Sequence, residues 1–199
     1  MFLAVSSASI CSVIGTAVVV AVRKSRGFFK KALEGISLLP EMLPSIVLVI
    51  GIMLFWNAIY KVLPIYNTIW IVVLAYVILY LRYTVQYVTS AFTQINDSLL
   101  QAGRVFGGTP SYVFRRVTLP MISRGIFAGW MMIFIIAFRE LVTASLIAPP
   151  NTLVVSTYIN REFEQGSVSS GCAMAVLCVL ITTTALLVCN RLVGKRKGT

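Results

Sequence analysis

The chain contains no histidine, and its acids number only six: Glu34, Glu41, Asp97, Glu140, Glu162 and Glu164. General acid–base chemistry needs a titratable group held against a partner, and metal sites need clustered ligands. Carboxylates scattered singly supply neither, so no catalytic residue and no metal ligand is expected. Cysteine is scarce as well. Cys11, Cys172, Cys178 and Cys189 all sit in apolar runs, and their spacing fits no metal or disulfide framework. They read as small buried apolar residues, which leaves the redox compartment unreadable. Charge itself is sparse, at 12% of residues against the roughly 25% usual in soluble domains. No internal repeat is evident. What remains is oil: 58% of residues are hydrophobic and mean hydropathy is +0.91, the composition of a membrane protein.

Crossing a bilayer takes about 20 predominantly apolar residues in a helix. Five runs qualify, at about 2–22, 38–59, 67–90, 125–148 and 170–190. Helices are expected because lipid offers no partner to an open backbone group. The first run begins without a basic leader or small-residue cleavage site and reads as a span rather than a signal peptide. The second carries Pro40 and Pro44 near its start, and 28–43 is a candidate interfacial segment ahead of the span proper. The fold class expected is therefore all-α, one polytopic bundle over 1–199.

Basic residues set the orientation. Arg23, Lys24, Arg26, Lys30 and Lys31 fill the first connection, Arg104, Arg115, Arg116 and Arg124 the third, and Arg191, Lys195, Arg196 and Lys197 the C-terminus. The positive-inside rule makes these cytoplasmic and puts the N-terminus outside. The net charge of +11 is then a topology signal, and no nucleic-acid partner is expected.

The third connection, Asp97 to Pro120, is polar, basic and punctuated by glycine. Ser98 and Gln101 have capping-box spacing, with Asn96 and Asp97 as further start signals, so a short helix is expected over about 98–106. Leu99, Leu100, Ala102, Val105 and Phe106 give it an apolar side, with Arg104 outward. Gly107-Gly108 ends it. Thr109-Pro110 opens a second helix over about 110–116, carrying Tyr112, Val113 and Phe114 and then Arg115 and Arg116. Leu119-Pro120 is expected to stop it. Aromatic and arginine side chains together suit a protein interface. An amphipathic loop lying on the lipid surface is the plainer alternative.

These residues resemble the signature of the inner-membrane permease subunits of binding-protein-dependent ABC importers: Glu-Ala-Ala, three residues, Gly, about nine residues, then Ile/Val-x-Leu-Pro. Gln101-Ala102-Gly103 takes the first place, Gly107 the second, and Val117-Thr118-Leu119-Pro120 the last. Leu39-Pro40 with Leu43-Pro44-Ser45, and Phe138-Arg139-Glu140-Leu141, are also similar to family sequences. Gln101 and Gly103 depart from the usual Glu and Ala, which removes an acid but keeps the helix–break–helix form. The resemblance implies a coupling helix that fits a groove on a separate ATPase, with Gln101, Ala102, Gly103, Gly107, Tyr112, Phe114, Arg115, Arg116, Leu119 and Pro120 as coupling residues. It also implies a second permease half, an extracytoplasmic substrate-binding protein, and residence in the bacterial inner membrane. No phosphate-binding GxxxxGK[ST] loop is present, so ATP hydrolysis is expected on another chain; no cofactor is expected on this one, with ATP and Mg on the partner ATPase dimer. The run from Phe138 to Ser167 looks most like permeases of the ferric-iron group.

Charges within spans face a pore or a partner. Arg139 and Glu140 lie mid-span in the expected fourth helix, about 100° apart, each requiring a partner on another helix. They read either as pathway lining or as a structural pair. Glu41, between Pro40 and Pro44, reads as a pathway or interface residue. Arg82 reads as snorkelling to the headgroups. Gly125 and Gly129 form a small-xxx-small pair, suited to packing within the chain or across a dimer. A secondary transporter or channel subunit not driven by ATP is the alternative function, weakened by the absence of repeated halves.

Overall fold

The computed structural model describes residues 1–25, 27–150 and 152–194. Arg26, Asn151, Lys195, Arg196 and Lys197 fall outside the described residues, as do the side chains of Asp97, Arg104 and Cys189. The described residues form helices and turns with no strand. The helices are α1 (Phe2–Lys24), α2 (Phe28–Met42), α3 (Ser45–Ala58), α4 (Ile69–Thr93), α5 (Asp97–Val105), α6 (Pro110–Val113), α7 (Leu119–Arg139), α8 (Val142–Ile147), α9 (Val155–Glu164) and α10 (Val168–Gly194).

Four helical stretches are long and apolar enough to cross a membrane: α1, α4, the stretch Pro110–Arg139 and the Val168–Val188 part of α10. The expected second span is not one straight helix. Leu43 is extended ahead of Pro44 (φ −102°, ψ 141°), as a residue before proline prefers, and α2 and α3 meet at 107°. With 14 residues, α3 alone reaches about 21 Å, short of a hydrocarbon core of roughly 30 Å. Pro40 lies within α2, and the chain turns only at Leu43-Pro44.

The fourth span also differs from expectation at both ends. Leu119-Pro120 does not stop the preceding helix. A π turn over Phe114–Thr118 joins α6 to α7, with the Leu119 N–H donating to the Phe114 carbonyl. Proline lacks an N–H and its ring crowds the carbonyl four residues back. The widened turn directly before Pro120 absorbs that conflict, so the chain stays helical from Pro110 to Arg139. At the other end the helix stops at Arg139 rather than running to 148, because Glu140 is extended (φ −70°, ψ 127°).

Inside a bilayer, helices gain little from hydrophobic transfer and associate through close packing of small residues. Here α4 is the central helix, with α1 and α7 packed along it and against each other. Thr84 of α4 is fully buried between two glycine faces. A Cβ at Gly15 of α1 would stand 2.7 Å from the Thr84 methyl, and one at Gly129 of α7 would stand 3.0 Å from the Thr84 Cα. A Cβ at Gly125 would lie 2.5 Å from the Ala91 Cβ and 2.8 Å from the Tyr87 carbonyl oxygen. The Gly125–Gly129 pair therefore serves packing within the chain. One polar clasp, Trp130 Nε1 donating to Ser9 Oγ at 3.1 Å, adds to the α1–α7 contact. By contrast, α10 packs on α9 and little else, and most of its apolar surface remains outward.

Candidate functional site

The segment between α4 and α7 is built by local rules. Asn96 caps α5, its Oδ1 accepting from the Ser98 N–H at 3.3 Å, so the cap stands two residues before the expected Ser98. The helix ends in a left-handed turn at Gly107 (φ +80°), with the Gly108 N–H donating back to the Gly103 carbonyl at 3.1 Å. This six-to-one closure is a Schellman motif, and its C′ position favours glycine because a side chain in left-handed geometry meets the carbonyl. Gly108 is needed for space: a Cβ there would lie 2.5 Å from the Gly103 oxygen. Thr109 then caps the next turn, its Oγ1 accepting from the Tyr112 N–H at 3.3 Å, with Pro110 following.

The turn folds α6 back on α5. Val113 is buried, and a Cβ on Gly103 would come within 3.2 Å of its methyl. The Gly103 departure from the family's alanine thus coincides with a close helix contact. Leu100 packs toward the cluster of Val19, Val85, Val88, Phe92 and Ile122. Val105 and Phe106, expected on the apolar side of the same helix, instead stand 85% and 91% exposed, and Tyr112 is 58% exposed. Gln101, Ala102, Arg115, Arg116, Leu119 and Pro120 are also exposed, while Phe114 is half-buried. The segment therefore carries an uncovered apolar and aromatic tip on a braced turn, beside two exposed arginines.

The second group of candidates lies deeper. Arg139 closes α7 and Glu140 occupies the break, so the two do not lie mid-span in one helix, as the sequence predicts. The Glu140 carboxylate folds forward onto the start of α8. Its Oε1 accepts from the Thr143 N–H at 2.9 Å, and its Oε2 accepts from Thr143 N–H at 3.0 Å and Ala144 N–H at 3.2 Å. The partner that Glu140 needs is thus free backbone exposed by the break, not a cation on another helix. Ser156 of α9 donates its hydroxyl to the Glu140 carbonyl, tying the other side of the break. Tyr76 of α4 is fully buried with its hydroxyl toward the Glu140 carboxylate, short of hydrogen-bond geometry. Arg139 is exposed and borders a cavity of about 300 Å³ with Ser156, Ile159, Ala175 and Cys178.

Glu41 and Arg82 find each other. Arg82 Nε donates to Glu41 Oε2 at 3.1 Å, joining the end of α2 to α4 across 41 positions of sequence. Arg82 therefore serves as more than a headgroup anchor, and Glu41 is an ion-pair partner. The pair and the Glu140 break are separate features. Arg82 lies six residues beyond Tyr76 on α4, about 9 Å along the axis. The 97–120 segment begins past Thr93, about 25 Å from Tyr76 by the same rise.

Residues 13–198 match the model of a family described as binding-protein-dependent transport system inner membrane components. A Fe(3+)-transport system permease protein of Haemophilus influenzae is 26% identical over 145 residues, covering 72% of this chain and 29% of that protein. A Salmonella typhimurium protein named as a permease for 2-aminoethylphosphonate transport is 25% identical over 169 residues, covering 85% and 63%. A spermidine/putrescine transport system permease protein of Haemophilus influenzae is 22% identical over 192 residues, covering 96% and 73%. The chain thus spans under a third of the first relative and just under two thirds of the second. Among solved structures, an inward-facing methionine ABC transporter chain superposes with a TM-score of 0.78 at 16% identity, covering 98% of this chain and 93% of that one. A chain from a bacterial ABC importer of the acidic polysaccharide alginate gives 0.70 at 17% identity, covering 100% and 79%. The two likenesses establish the all-helical fold.

Proposed function

We propose that this chain, which belongs to the family of binding-protein-dependent transport system inner membrane components, is a multi-pass permease subunit of an ATP-driven importer. It pairs with a second permease half, receives substrate from an extracytoplasmic binding protein, and performs no chemistry of its own. ATP and Mg are bound and used by a separate ATPase dimer. The observation that carries this reading is the tip of the 97–120 segment. Val105 and Phe106 stand exposed outside the long stretches and Tyr112 stands exposed at the start of Pro110–Arg139, around a turn stiffened by the Gly107 closure and the Thr109 cap. A large uncovered apolar tip rimmed by arginine fits a groove on a protein partner. From Tyr112 the chain is continuously helical to Arg139, so a push on that side of the tip is carried to the break at Glu140. Rigid-body rocking of the two permease halves then opens the pathway to each side in turn.

In this scheme Glu140 holds the break, the Glu41–Arg82 pair holds the bent α2–α3 unit against α4, and Arg139 faces the pathway or the subunit interface. Ferric iron is the cargo favoured by the Phe138–Ser167 run and by the 26% identical relative. The relatives named for 2-aminoethylphosphonate and for spermidine/putrescine support a second reading, a small organic solute.

The test is co-purification of the ATPase with the tagged permease from membranes. Tyr112→Ala removes an anchor, and Gly107→Leu forces a side chain into left-handed backbone at a cost of about 1–2 kcal/mol. Both variants are expected to insert normally and to lose ATPase association. Undiminished association and transport in both would overturn the docking assignment. Uptake of radioactive iron against labelled aminoethylphosphonate and spermidine decides the cargo.

A further inference from the structure

A groove runs down the outer face of α1 toward its basic end. Its apolar part, about 640 Å³, is lined by Val13, Ala17, Val20, Leu119 and Ile126, with Lys24 at its end. A second depression of about 280 Å³ continues from it, bounded by Arg23, Lys24, Phe92, Pro110 and Phe114. The two share Val20, Lys24 and Phe114, so they form one continuous feature. Ser12 and Thr16 also line the apolar part, but their hydroxyls donate to the Ala8 and Ser12 carbonyls at 2.9 and 2.6 Å. They present little polarity to an occupant. From Ser12 to Lys24 the groove spans about 18 Å by helical rise, close to the roughly 15 Å hydrocarbon depth of one leaflet. Arg23 is held in place by its guanidinium lying 4.7 Å from the Phe92 ring centroid.

We propose that this groove binds an anionic phospholipid of the leaflet next to the basic connections. Its acyl chain lies along α1 and α7, and its phosphate meets Lys24 and Arg23 beneath the π turn at Phe114. Length, apolar lining and a cationic end together fit one chain with one anionic head. A lipid there bridges the end of α1 to the root of the 97–120 segment, so its occupancy would bias coupling; that consequence rests on the function proposed above, whereas the binding does not.

The binding is read by native mass spectrometry of the detergent-purified full chain, incubated with phosphatidylglycerol or phosphatidylcholine. The expected result is preferential retention of phosphatidylglycerol. Lys24→Gln should reduce it about fivefold, the factor one lysine contributes near an anionic surface. Ala17→Trp should reduce it by filling the groove, and Lys61→Gln should not change it. Lys24 and Ala17 are exposed, so these variants leave the core untouched. Equal retention of the two lipids would overturn the proposal. So would displacement by inorganic phosphate with no effect of Ala17→Trp, which marks a headgroup-sized anion site alone. A change in oligomer mass in place of lipid adducts on Ala17→Trp would also overturn it, since the groove would then hold a second copy.

Discussion

Replacing Glu140 with alanine removes the acceptor for two backbone N–H groups, those of Thr143 and Ala144, at distances of 2.9 to 3.2 Å. Both amides lie at the start of α8, deep in the bundle, where Thr143 and Ala144 are buried and water is not a ready substitute. A hydrogen bond to a charged acceptor contributes about 1.5–3 kcal/mol, and an orphaned buried donor costs a similar amount. Two such donors set a ceiling of about 6 kcal/mol. The wild-type carboxylate carries a desolvation cost in the fold that the alanine variant is spared, which brings the expected local loss to about 3 kcal/mol. At 1.4 kcal/mol per tenfold, hydrogen exchange of the amides from 142 to 147 should accelerate about a hundredfold. Glu140→Gln keeps one neutral acceptor oxygen and should accelerate exchange less than tenfold. The measurement is exchange mass spectrometry on the peptide spanning 141–148 in detergent, with a peptide of α4 as internal reference. Unchanged protection of that peptide in Glu140→Ala would refute the assignment of Glu140 as the residue that holds the break.

Gly125→Ala puts a methyl 2.5 Å from the Ala91 Cβ and 2.8 Å from the Tyr87 carbonyl, so α4 and α7 must separate. Overpacking of this kind costs about 1–3 kcal/mol, and thermal unfolding followed by tryptophan fluorescence should shift down by several degrees. The Glu41–Arg82 pair is more modest because Glu41 is mostly exposed. A double-mutant cycle of Glu41→Ala and Arg82→Ala, read by the same melt, should give a coupling of about 0.5–1 kcal/mol, and additivity would show the pair to be without consequence.

The 97–120 segment was largely legible because its signals are local. Gly107-Gly108, Thr109-Pro110 and the basic pair at 115–116 act within a turn of themselves, and helix, break and helix follow directly. The cap residue shifted from Ser98 to Asn96 because several adjacent residues are good caps and only geometry selects one. The exit is not legible locally, because Pro120 reads as a stop whereas a π turn one step earlier accommodates it. Spans one, three and five were visible as apolar runs, but hydropathy does not register a change of direction. The run 38–59 reads as one span, although the 107° bend falls at Leu43-Pro44 where the candidate interfacial segment 28–43 ends, and 125–148 hides the break at Glu140. The break did leave a signal: an acid three and four residues ahead of Thr143 and Ala144 is a helix-start pattern, here masked by the assumption of one continuous span. The Glu41–Arg82 contact depends on how α2 folds back on α4, which no local pattern encodes. Gly125 and Gly129 were recognisable as packing residues, yet only the structure assigns their partner to α4.

The central claim is that the exposed tip of the 97–120 segment seats in the ATPase. A photo-crosslinking amino acid placed at Phe106, and separately at Tyr112, tests it in intact membranes carrying the whole transporter. The predicted result is a crosslinked product containing the ATPase from both positions, with yield changing when ATP is added, and none from a probe at Tyr60. Crosslinks to lipid alone from Phe106 and Tyr112, with the assembled transporter still active, would contradict the claim and place the segment on the membrane surface.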